Sequence, residues 1–335
     1  MNRIVCFGDY IGRINPIEQY KFIQTNQCEF NYTGAEANVC SNLAQFGMKT
    51  EFITRLPQNI IGNAALSSLK KNGVGTDYIA RGGERLGLFY VEKGSNIRRS
   101  EVVYDRVNSS FTNSCEDDYD WEKILDNAEC LILSGITIAL GENLYKICLE
   151  AVKAAKEKNV KVFFDINYRS KLWAADVAKR AIKVFIPYID VLISNEEHAE
   201  LLLDIRSDIT EDDYDLRLEE KSKKIAQMYN IENVVITVRN TINADRYKIW
   251  ASFYRENEFA ISKTYNLRAL DRIGSGDALT SGIVFSLLHG FTVQKVIDFA
   301  VAASALKHTI KNDVNYIELQ DVYNLLESSS FEVSR

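Results

Sequence analysis

The segment Asp271-Arg272-Ile273-Gly274-Ser275-Gly276-Asp277 places two glycines, a serine and an aspartate directly before an apolar stretch with helical spacing. A helix that begins at Ser275 or Gly276 directs its first free backbone N–H groups, and the positive end of its dipole, at whatever lies above the loop. Because glycine lets a ligand approach the backbone closely, the segment predicts an anion site, most often for a phosphate. A glycine turn at a helix start, without any ligand, is the alternative, since a short glycine motif is weak by itself.

The carboxyl group of Asp277 follows these glycines and indicates a second task. A lysine or a serine would serve an anion better at this position. A carboxylate beside a bound anion instead suits the removal of a proton from a nucleophile. The segment therefore predicts an anion site with a general base next to it.

These residues need a scaffold, and the order of apolar segments along the chain predicts one. Alternating strands and helices of this kind are typical of an α/β fold, in which helices cover both faces of a parallel sheet. Ligands in such folds bind beyond the carboxyl ends of the strands, where Asn167, Arg169, Ser194 and Asn195 lie. The predicted strands are Arg3–Gly8, Glu51–Leu56, Leu131–Leu133, Val160–Ile166, Asp190–Ser194 and Asn233–Val238, and the predicted helices are Ala37–Phe46, Glu142–Lys158, Ala174–Phe185, Glu197–Leu203 and Leu216–Tyr229.

Two regions interrupt this alternation. Residues 10–33 are polar and irregular with interspersed aromatic residues, whereas Leu86–Glu92 and Ser100–Arg106 alternate as strands do. We expect a small β lid, built from about 10–33 and 86–112, that is inserted into a single domain of residues 1–327. The acidic stretch Asp208–Asp215 is expected to be a solvated loop and helix start, and the tail 328–335 to fray.

Composition narrows the classes of function. The 335 residues are 46% hydrophobic with a net charge of −6, which is typical of a globular protein and argues against nucleic acid as a partner. We expect no membrane association, because no apolar run approaches the roughly 20 residues of a spanning helix. A signal peptide is not evident, so a cytoplasmic location is expected. The six cysteines form no C-x-x-C pair and the three histidines have no ligand spacing, so a zinc site is not expected.

Three segments together resemble the ribokinase-like (PfkB) sugar kinases: Thr33-Gly34-Ala35-Glu36-Ala37-Asn38, Asp165-Ile166-Asn167-Tyr168-Arg169, and the Gly274–Asp277 loop. The similarity extends in order over nearly the whole chain. It implies a three-layer α/β/α domain with a mostly parallel central sheet and a small β lid. Further segments are most similar to the 2-keto-3-deoxygluconate kinases of that family: Arg55-Leu56-Pro57, Arg81–Gly87, Tyr90–Gly94, Val103–Arg106 and Asp271–Ile273.

The resemblance implies ATP- and magnesium-dependent phosphorylation of the terminal hydroxyl of 2-keto-3-deoxygluconate, a sugar acid, to the 6-phosphate. In this chemistry Asp277 is the general base, and the backbone N–H groups of Gly274, Ser275 and Gly276 form the anion hole for the transferring phosphoryl group. Residues implied to line the sugar-acid site are Gly34, Asn38, Tyr90, Tyr104, Arg106, Arg169, Asp277 and Asp313.

Within that set, Arg106 and Arg169 offer planar forks suited to a carboxylate, which a neutral sugar would not need. Gly34 would allow close approach of the sugar, and Asn38 would hydrogen-bond a hydroxyl. For Tyr90 and Tyr104, packing within the lid is an equally good explanation. For Arg106, the alternative to a carboxylate contact is a surface ion pair with Asp105 or Glu101.

Nucleotide contacts are expected from a set on the other side of the loop: Asn167, Arg169, Asn195, Arg239, Gly274 and Gly276. Three departures from the family pattern bear on the site. Thr33 replaces the first of a pair of glycines, and His198 takes the fourth position of an Asn-x-x-Glu motif. Glu196 or Glu197 would then organise magnesium through water. The stretch 239–245 replaces a glycine-bearing nucleotide loop, which leaves the nucleotide itself open, although ATP is expected.

Several other functions are compatible with parts of this pattern. A kinase of fructose, ribose or a nucleoside would share the fold, and so would a catalytically silent sugar sensor, against which the retained Asp277 argues. A dinucleotide-dependent oxidoreductase is less compatible, because the stretch 8–12 lacks Gly-x-Gly-x-x-Gly. An apolar lid edge needs a cover, which predicts a homodimer joined lid to lid, with a higher oligomer as an alternative.

Overall fold

The structure is a computed structural model that describes residues 3–209 and 213–327. Its strands are Arg3–Phe7 (β1), Ile11–Pro16 (β2), Cys28–Thr33 (β3), Thr50–Ile53 (β4), Arg55–Leu56 (β5), Ala80–Arg81 (β6), Leu88–Glu92 (β7), Glu101–Asp105 (β8), Ala128–Ser134 (β9), Lys161–Asp165 (β10), Val191–Asn195 (β11), Asn233–Thr241 (β12), Arg246–Arg255 (β13), Glu258–Ile261 (β14) and Tyr265–Arg268 (β15).

The helices occupy the segments between these strands and the end of the described chain. They are Ala35–Gln45 (α1), Ile60–Lys71 (α2), Trp121–Ile124 (α3), Gly135–Ile138 (α4), Glu142–Glu157 (α5), Ala175–Phe185 (α6), Glu196–Leu203 (α7), Tyr214–Tyr229 (α8), Ser275–Leu288 (α9), Val293–Lys307 (α10) and Leu319–Glu327 (α11).

The central sheet has the order β14-β13-β12-β11-β10-β9-β1-β4, and β15 adds to the edge by pairing with β13. From β4 to β12 all neighbours run parallel, whereas β13, β14 and β15 are antiparallel. The strands β9, β10, β11 and β12 therefore all end at one edge, which brings the residues that follow them into one crevice.

Helices cover both faces of this sheet because its strands are apolar on both faces. Ile4 and Cys6 of β1 pack into a core with α1, α2, α9, α10 and α11, whereas Val5 and Phe7 pack into a second core with α3, α5, α6, α7 and α8. Each fully buried side chain of this size stabilises the fold by roughly 1.5–3 kcal/mol. The result is three layers, with the sheet in the middle.

The lid is a separate four-stranded sheet of order β3-β2-β7-β8. Strand alternation gives it two different faces. Ile11, Arg13, Phe89 and Val91 are buried on the inner face, while Phe30 and other side chains of the outer face are exposed. A two-stranded sheet of β5 and β6 lies apart from it.

The predicted α/β fold with a mostly parallel sheet and a small β lid is confirmed, and most predicted boundaries are shifted by one to a few residues. The predicted strand Glu51–Leu56 is divided into β4 and β5, and β12 continues past Val238 to Thr241. The predicted frayed tail 328–335 lies outside the described residues, as does part of the acidic stretch Asp208–Asp215. None of the helices in the described ranges has the length and apolar character to span a membrane.

Candidate active site

The Gly274–Asp277 loop leads directly into helix α9, as the sequence predicts. Gly274 has a φ of 87°, the left-handed conformation that favours glycine, and a Cβ there would overlap the carbonyl oxygen of Asp313. Nothing lies within 4 Å of the position of a Cβ on Gly276, so that glycine faces open space. The first N–H groups of α9 have no partner within the helix, and the residues that carry them line the crevice. The N–H of Ser275 also donates to the carbonyl oxygen of Arg272 at 3.3 Å. The loop has the geometry of an anion site.

Two adjoining cavities meet at this loop. The first, of about 500 Å³, lies between the loop, the lid and the ends of β10 and β11. The second, of about 350 Å³, lies against β12 and α10. Both are lined by Asn195, Glu197, Thr237, Arg239, Ser275, Gly276 and Leu279. The crevice can therefore hold two ligands that touch at the start of α9.

Asp277 lies at the floor of the first cavity, and its surroundings favour the protonated carboxyl group. Burial, together with the charges of Asp165 and Asp313, raises the pKa of Asp277 to about 8. Two groups act in the opposite direction: the side-chain amide of Asn38 donates to Oδ2 of Asp277 over 2.7 Å, and Arg169 contributes positive charge. A carboxyl group with a pKa near 8 is suited to accept a proton.

Asp165 is a crevice residue that the sequence did not single out, although it ends strand β10 within a segment that carries the family resemblance. Burial raises its pKa to about 7, and the charge of Arg169 limits that rise. Its Oδ1 atom accepts a hydrogen bond of 3.0 Å from the backbone N–H of Asn167, which also lines the cavity. The available signal was its position at the carboxyl end of a parallel strand.

Arg106 and Tyr104 reach the first cavity from the inner face of the lid. The guanidinium of Arg106 lies 4.7 Å from the ring centre of Tyr104, and its side chain is only 12% exposed. Its acidic neighbour is Asp9, at 3.6 Å, and not Asp105, which pairs with Arg85. The structure therefore does not contain the alternative ion pair between Arg106 and Asp105.

Tyr90 requires a correction. Alternation along β7 turns Tyr90 to the outer face of the lid, where its ring packs edge-on against Phe22 at 6.2 Å. Phe89, one residue earlier, is buried on the inner face and lines the first cavity. The sequence pattern identified the strand, but the face that points to the crevice is set by pairing with its neighbours.

Three other predicted residues lie at the crevice with contacts that the sequence did not predict. Asn38 bonds to Asp277 rather than being free for a hydroxyl. Gly34 is required for packing, because a Cβ there would overlap the backbone oxygen of Asp9. Asp313 lines the cavity, yet its carboxylate already bonds to Arg13 and to the hydroxyl of Thr33. Each of these three residues thus has an organising contact within the protein.

Arg169, Asn195 and His198 border the crevice where β10 and β11 end. Nη1 of Arg169 donates to the carbonyl oxygens of residues 167 and 168, which holds one side of its guanidinium and leaves the other nitrogens for a ligand. Asn195 caps α7, since its Oδ1 accepts from the N–H of His198 over 2.6 Å. Burial, with the charges of Arg169 and Arg239, lowers the pKa of His198 to about 4, so its ring is neutral near pH 7.

Glu196 and Glu197, predicted as alternatives for organising a metal, face different ways. The carboxylate of Glu196 pairs with Lys221 at 2.5 Å and accepts from the hydroxyl of Tyr214. Glu196 lines only the second cavity, whereas Glu197 lines both. In the described part of the chain, no three acidic, histidine or cysteine side chains are grouped to hold a metal ion. Magnesium, which retains several waters and binds through one or two carboxylates plus phosphates, fits Glu197 better than Glu196.

The nucleotide loop expected after Val238 is instead a continuation of strand. Residues 239–241 belong to β12 and pair with β13, so the turn of the hairpin falls at 242–245. Arg239 projects from this strand and lines both cavities. Ile249, Trp250 and Val301 give one side of the second cavity an apolar surface, to which Ser304 and His308 add polar groups.

Comparison with known proteins agrees with this geometry. Residues 1–317 match the pfkB family of carbohydrate kinases. A crystal structure of 2-dehydro-3-deoxygluconokinase from Thermotoga maritima is 38% identical, with a TM-score of 0.94 over 98% of this chain and 100% of that one. That of a PfkB family carbohydrate kinase from Listeria grayi is 31% identical, with a TM-score of 0.91 over 97% and 100%. A 2-dehydro-3-deoxygalactonokinase from Haloferax volcanii is 27% identical over 99% of both chains.

Proposed function

The chain belongs to the pfkB family of carbohydrate kinases, and on this basis we propose that it phosphorylates the terminal hydroxyl of 2-keto-3-deoxygluconate with ATP, which yields the 6-phosphate. The similar proteins from Thermotoga maritima and Haloferax volcanii carry names of kinases for sugar acids of this kind. The names alone do not decide the substrate of this chain. Its own side chains supply the stronger argument.

The observation that carries the substrate class is the pair Arg106 and Arg169 in the cavity that also contains Asp277. A guanidinium can bind a carboxylate through two parallel hydrogen bonds. The 3.6 Å separation between Arg106 and Asp9 exceeds hydrogen-bond length, so the donors of Arg106 are not consumed by that contact. Two cations beside the base suit the carboxylate of an acidic sugar, which a neutral sugar lacks.

The proposed reaction is a direct transfer. Asp277 takes the proton of the terminal hydroxyl as that oxygen attacks the γ-phosphorus, and the bond from phosphorus to the β-phosphate oxygen breaks. Backbone N–H groups of Gly274, Ser275 and Gly276 hold the charge that develops on the transferring group, for which the N–H of Ser275 would leave its 3.3 Å contact with the carbonyl oxygen of Arg272. The position of Asp277 in the first turn of α9 supports this assignment, because base and anion hole then share one rigid element.

The second cavity is proposed to hold the nucleotide, with Arg239 directed at its phosphates and the wall of Trp250 and Val301 against its base. Bound magnesium would neutralise phosphate charge, and Glu197 would hold it through water. Of the other predicted nucleotide contacts, Asn195 is engaged as the cap of α7.

Initial rates with a panel of acceptors test the substrate. We expect a kcat/KM for 2-keto-3-deoxygluconate at least about a hundredfold above those for fructose and ribose, because neither sugar has a carboxylate for the arginines. The panel includes the C4 epimer, 2-keto-3-deoxygalactonate, because the relative from Haloferax volcanii is named as a kinase of that compound. A preference for a neutral sugar would refute the proposed substrate class.

Arg106→Ala tests the carboxylate contact directly. A hydrogen-bonded charge pair contributes about 1.5–3 kcal/mol, so the KM for the sugar acid should rise roughly ten- to a hundredfold. Arg85→Ala is the matched control, since Arg85 supports the same lid through Asp105 but lies outside the cavity. An equal effect of both changes would indicate that Arg106 acts through lid structure and not through the substrate.

Asp277→Asn tests the base. The amide keeps the size of the carboxyl group, so binding of both substrates should change little while kcat falls by roughly two to four decades. Binding of the sugar acid by calorimetry and single-turnover rates separate these two effects. A variant with near-normal turnover would exclude Asp277 as the base.

We also propose that two copies associate through their lids. Phe30 of β3 and Val103 of β8 are 45% and 62% exposed on the outer face, and Val107, which follows β8, is 75% exposed. Strands β3 and β8 are the edges of the lid sheet, and an exposed apolar edge is a site for pairing. Light scattering at micromolar concentration should give twice the monomer mass, and a Val103→Lys variant should give the monomer mass.

A further inference from the structure

A largely buried group of charges connects the anion-hole loop to the lid. This lid–loop ion cluster consists of Arg13, Lys93, Asp271, Lys307 and Asp313. Arg13 lies on the inner face of β2, with no exposed surface, and pairs with Oδ2 of Asp271 at 2.8 Å and with Oδ1 of Asp313. Lys93, just after lid strand β7, pairs with the same Oδ2 atom of Asp271 at 3.0 Å.

The cluster is directly bonded to the anion-hole loop. Oδ1 of Asp271 accepts a 3.2 Å hydrogen bond from the backbone N–H of Ile273, which immediately precedes Gly274. The ammonium of Lys307 donates to the carbonyl oxygens of Asp271 at 3.4 Å and Ile310 at 3.2 Å. Burial alone would raise the pKa of Asp271, but the charges of the surrounding cations hold it below its usual value. The start of the loop is thus fixed by charges that come from the lid.

A second path leads from the same guanidinium to the base. Oδ2 of Asp313 accepts from the hydroxyl of Thr33 over 2.7 Å, and that hydroxyl also lies 3.1 Å from Oδ1 of Asn38. The amide of Asn38 then donates to Asp277 over 2.7 Å. The threonine that departs from the family pattern therefore occupies a link in this path.

We propose that Arg13 is a positioning residue, which couples the lid to both the anion-hole loop and the base in the kinase reaction proposed above. Its fork holds one carboxylate from the segment before the loop and one from the segment after α10, and so fixes both against a lid strand. Charges as deeply buried as those of Arg13, Asp271 and Asp313 are costly unless they are paired, so the cluster favours the arrangement in which they touch. That arrangement exists only when the lid strand lies over the loop.

Arg13→Lys is the first test, because lysine keeps the charge but has no planar fork to hold two carboxylates at once. Assays use the full-length protein with whichever acceptor the wild type phosphorylates. We expect kcat to fall about tenfold, with the KM values for ATP and acceptor within about threefold of wild type. Arg98→Lys is the control, since Arg98 is a lid arginine that pairs with Glu92 away from the loop. That control should leave kcat unchanged.

A kcat within about threefold of wild type in folded Arg13→Lys overturns the proposal, as does a rise in KM alone. If the lysine variant does not fold, the double variant Arg13→Met, Asp271→Asn removes one cation and one carboxylate together, so the net charge of the cluster is unchanged and Asp313 stays in the cavity; the same criterion on kcat then decides. A positioning role predicts low kcat in this variant even where its melting temperature matches wild type. If the wild type does not phosphorylate the sugar acid, the proposed substrate is refuted but the role of Arg13 is not. That role is tested by comparing variants with the wild type on whichever acceptor the wild type uses.

Discussion

Removal of the Asn38 amide should shift the pH dependence of catalysis upward. The pKa of Asp277 is about 8, so the carboxyl is mostly protonated, and inactive as a base, below that pH. The Asn38 amide donates to the charged form over 2.7 Å and therefore holds the pKa down. In Asn38→Ala this bond is lost and the pKa must rise. Activity that depends on the ionised carboxylate then appears only at higher pH.

The size of the shift follows from the strength of the bond. A hydrogen bond to a charged group contributes about 1.5–3 kcal/mol, and one pKa unit corresponds to about 1.4 kcal/mol. The midpoint of kcat/KM should therefore move from near 8 to about 9–10. At pH 7 about one-tenth of the wild-type carboxyl is ionised, against about one-hundredth to one-thousandth in the variant. The variant should be ten- to a hundredfold slower at pH 7, and its deficit should shrink as the pH rises.

The assay measures sugar-phosphate formation directly from labelled ATP between pH 6 and 10, which avoids coupling enzymes with their own pH dependence. Asn42→Ala is the control, because Asn42 lies one turn later on α1, is equally buried, and bonds to the backbone of Asn315 instead. That variant should lose stability without a shift of the midpoint. A wild-type profile that is flat from pH 6 to 8, or a variant deficit that is the same at every pH, would refute the reasoning.

Three further outcomes are expected. Gly274→Ala should lower kcat about a hundredfold, because a Cβ there meets a carbonyl oxygen and displaces the loop. Gly276→Ala should leave the melting temperature unchanged but also lower kcat, because its methyl group would enter the crevice where the transferring phosphoryl group is proposed to lie. Phe89→Ala should raise the KM for the sugar about five- to tenfold, while Tyr90→Ala on the other face of the same strand leaves it unchanged; equal effects would refute the assigned register. Asp277→Asn should raise the melting temperature at pH 8 but not at pH 4, since the raised pKa destabilises the wild type only as the pH rises toward 8; scanning calorimetry at both values decides.

The central part of the fold was predictable because its signals are local. Strands such as β10 and β11 are short apolar runs between amphipathic helices, and that order is sufficient to indicate a parallel sheet. The antiparallel edge of β13, β14 and β15 carries no comparable signal. Only pairing defines it: β13 pairs with β12, and β14 and β15 both pair with β13. The extension of β12 to Thr241 has the same origin, because tertiary pairing overrides the loop-like composition of 239–241.

Within the site, too, features with local sequence signals could be predicted and features that depend on long-range pairing could not. The Gly274–Asp277 loop and the residues at the strand ends could be placed from sequence, because a glycine motif and strand topology both act locally. Which residues of β7 face the crevice could not be predicted from the sequence. A shift of one residue in strand pairing exchanges Phe89 for Tyr90, and nothing in the strand itself determines that register. Arg13 gave no signal at all. Its partners Asp271 and Asp313 are about as distant in sequence as two residues of this chain can be from it.

The raised pKa of Asp277 could not be predicted from the sequence, because it depends on charges that only the fold brings into the crevice. Its raised pKa depends first on burial and then on Asp165 and Asp313, which arrive from separate segments. Asp313 is itself held by Arg13, so a lid residue also affects the charge that the base experiences. An isolated aspartate in a glycine loop would be ionised at neutral pH and only weakly basic. The fold makes Asp277 a stronger base by burying it next to other carboxyl groups. The buried cations offset the cost of placing those carboxyl groups close together.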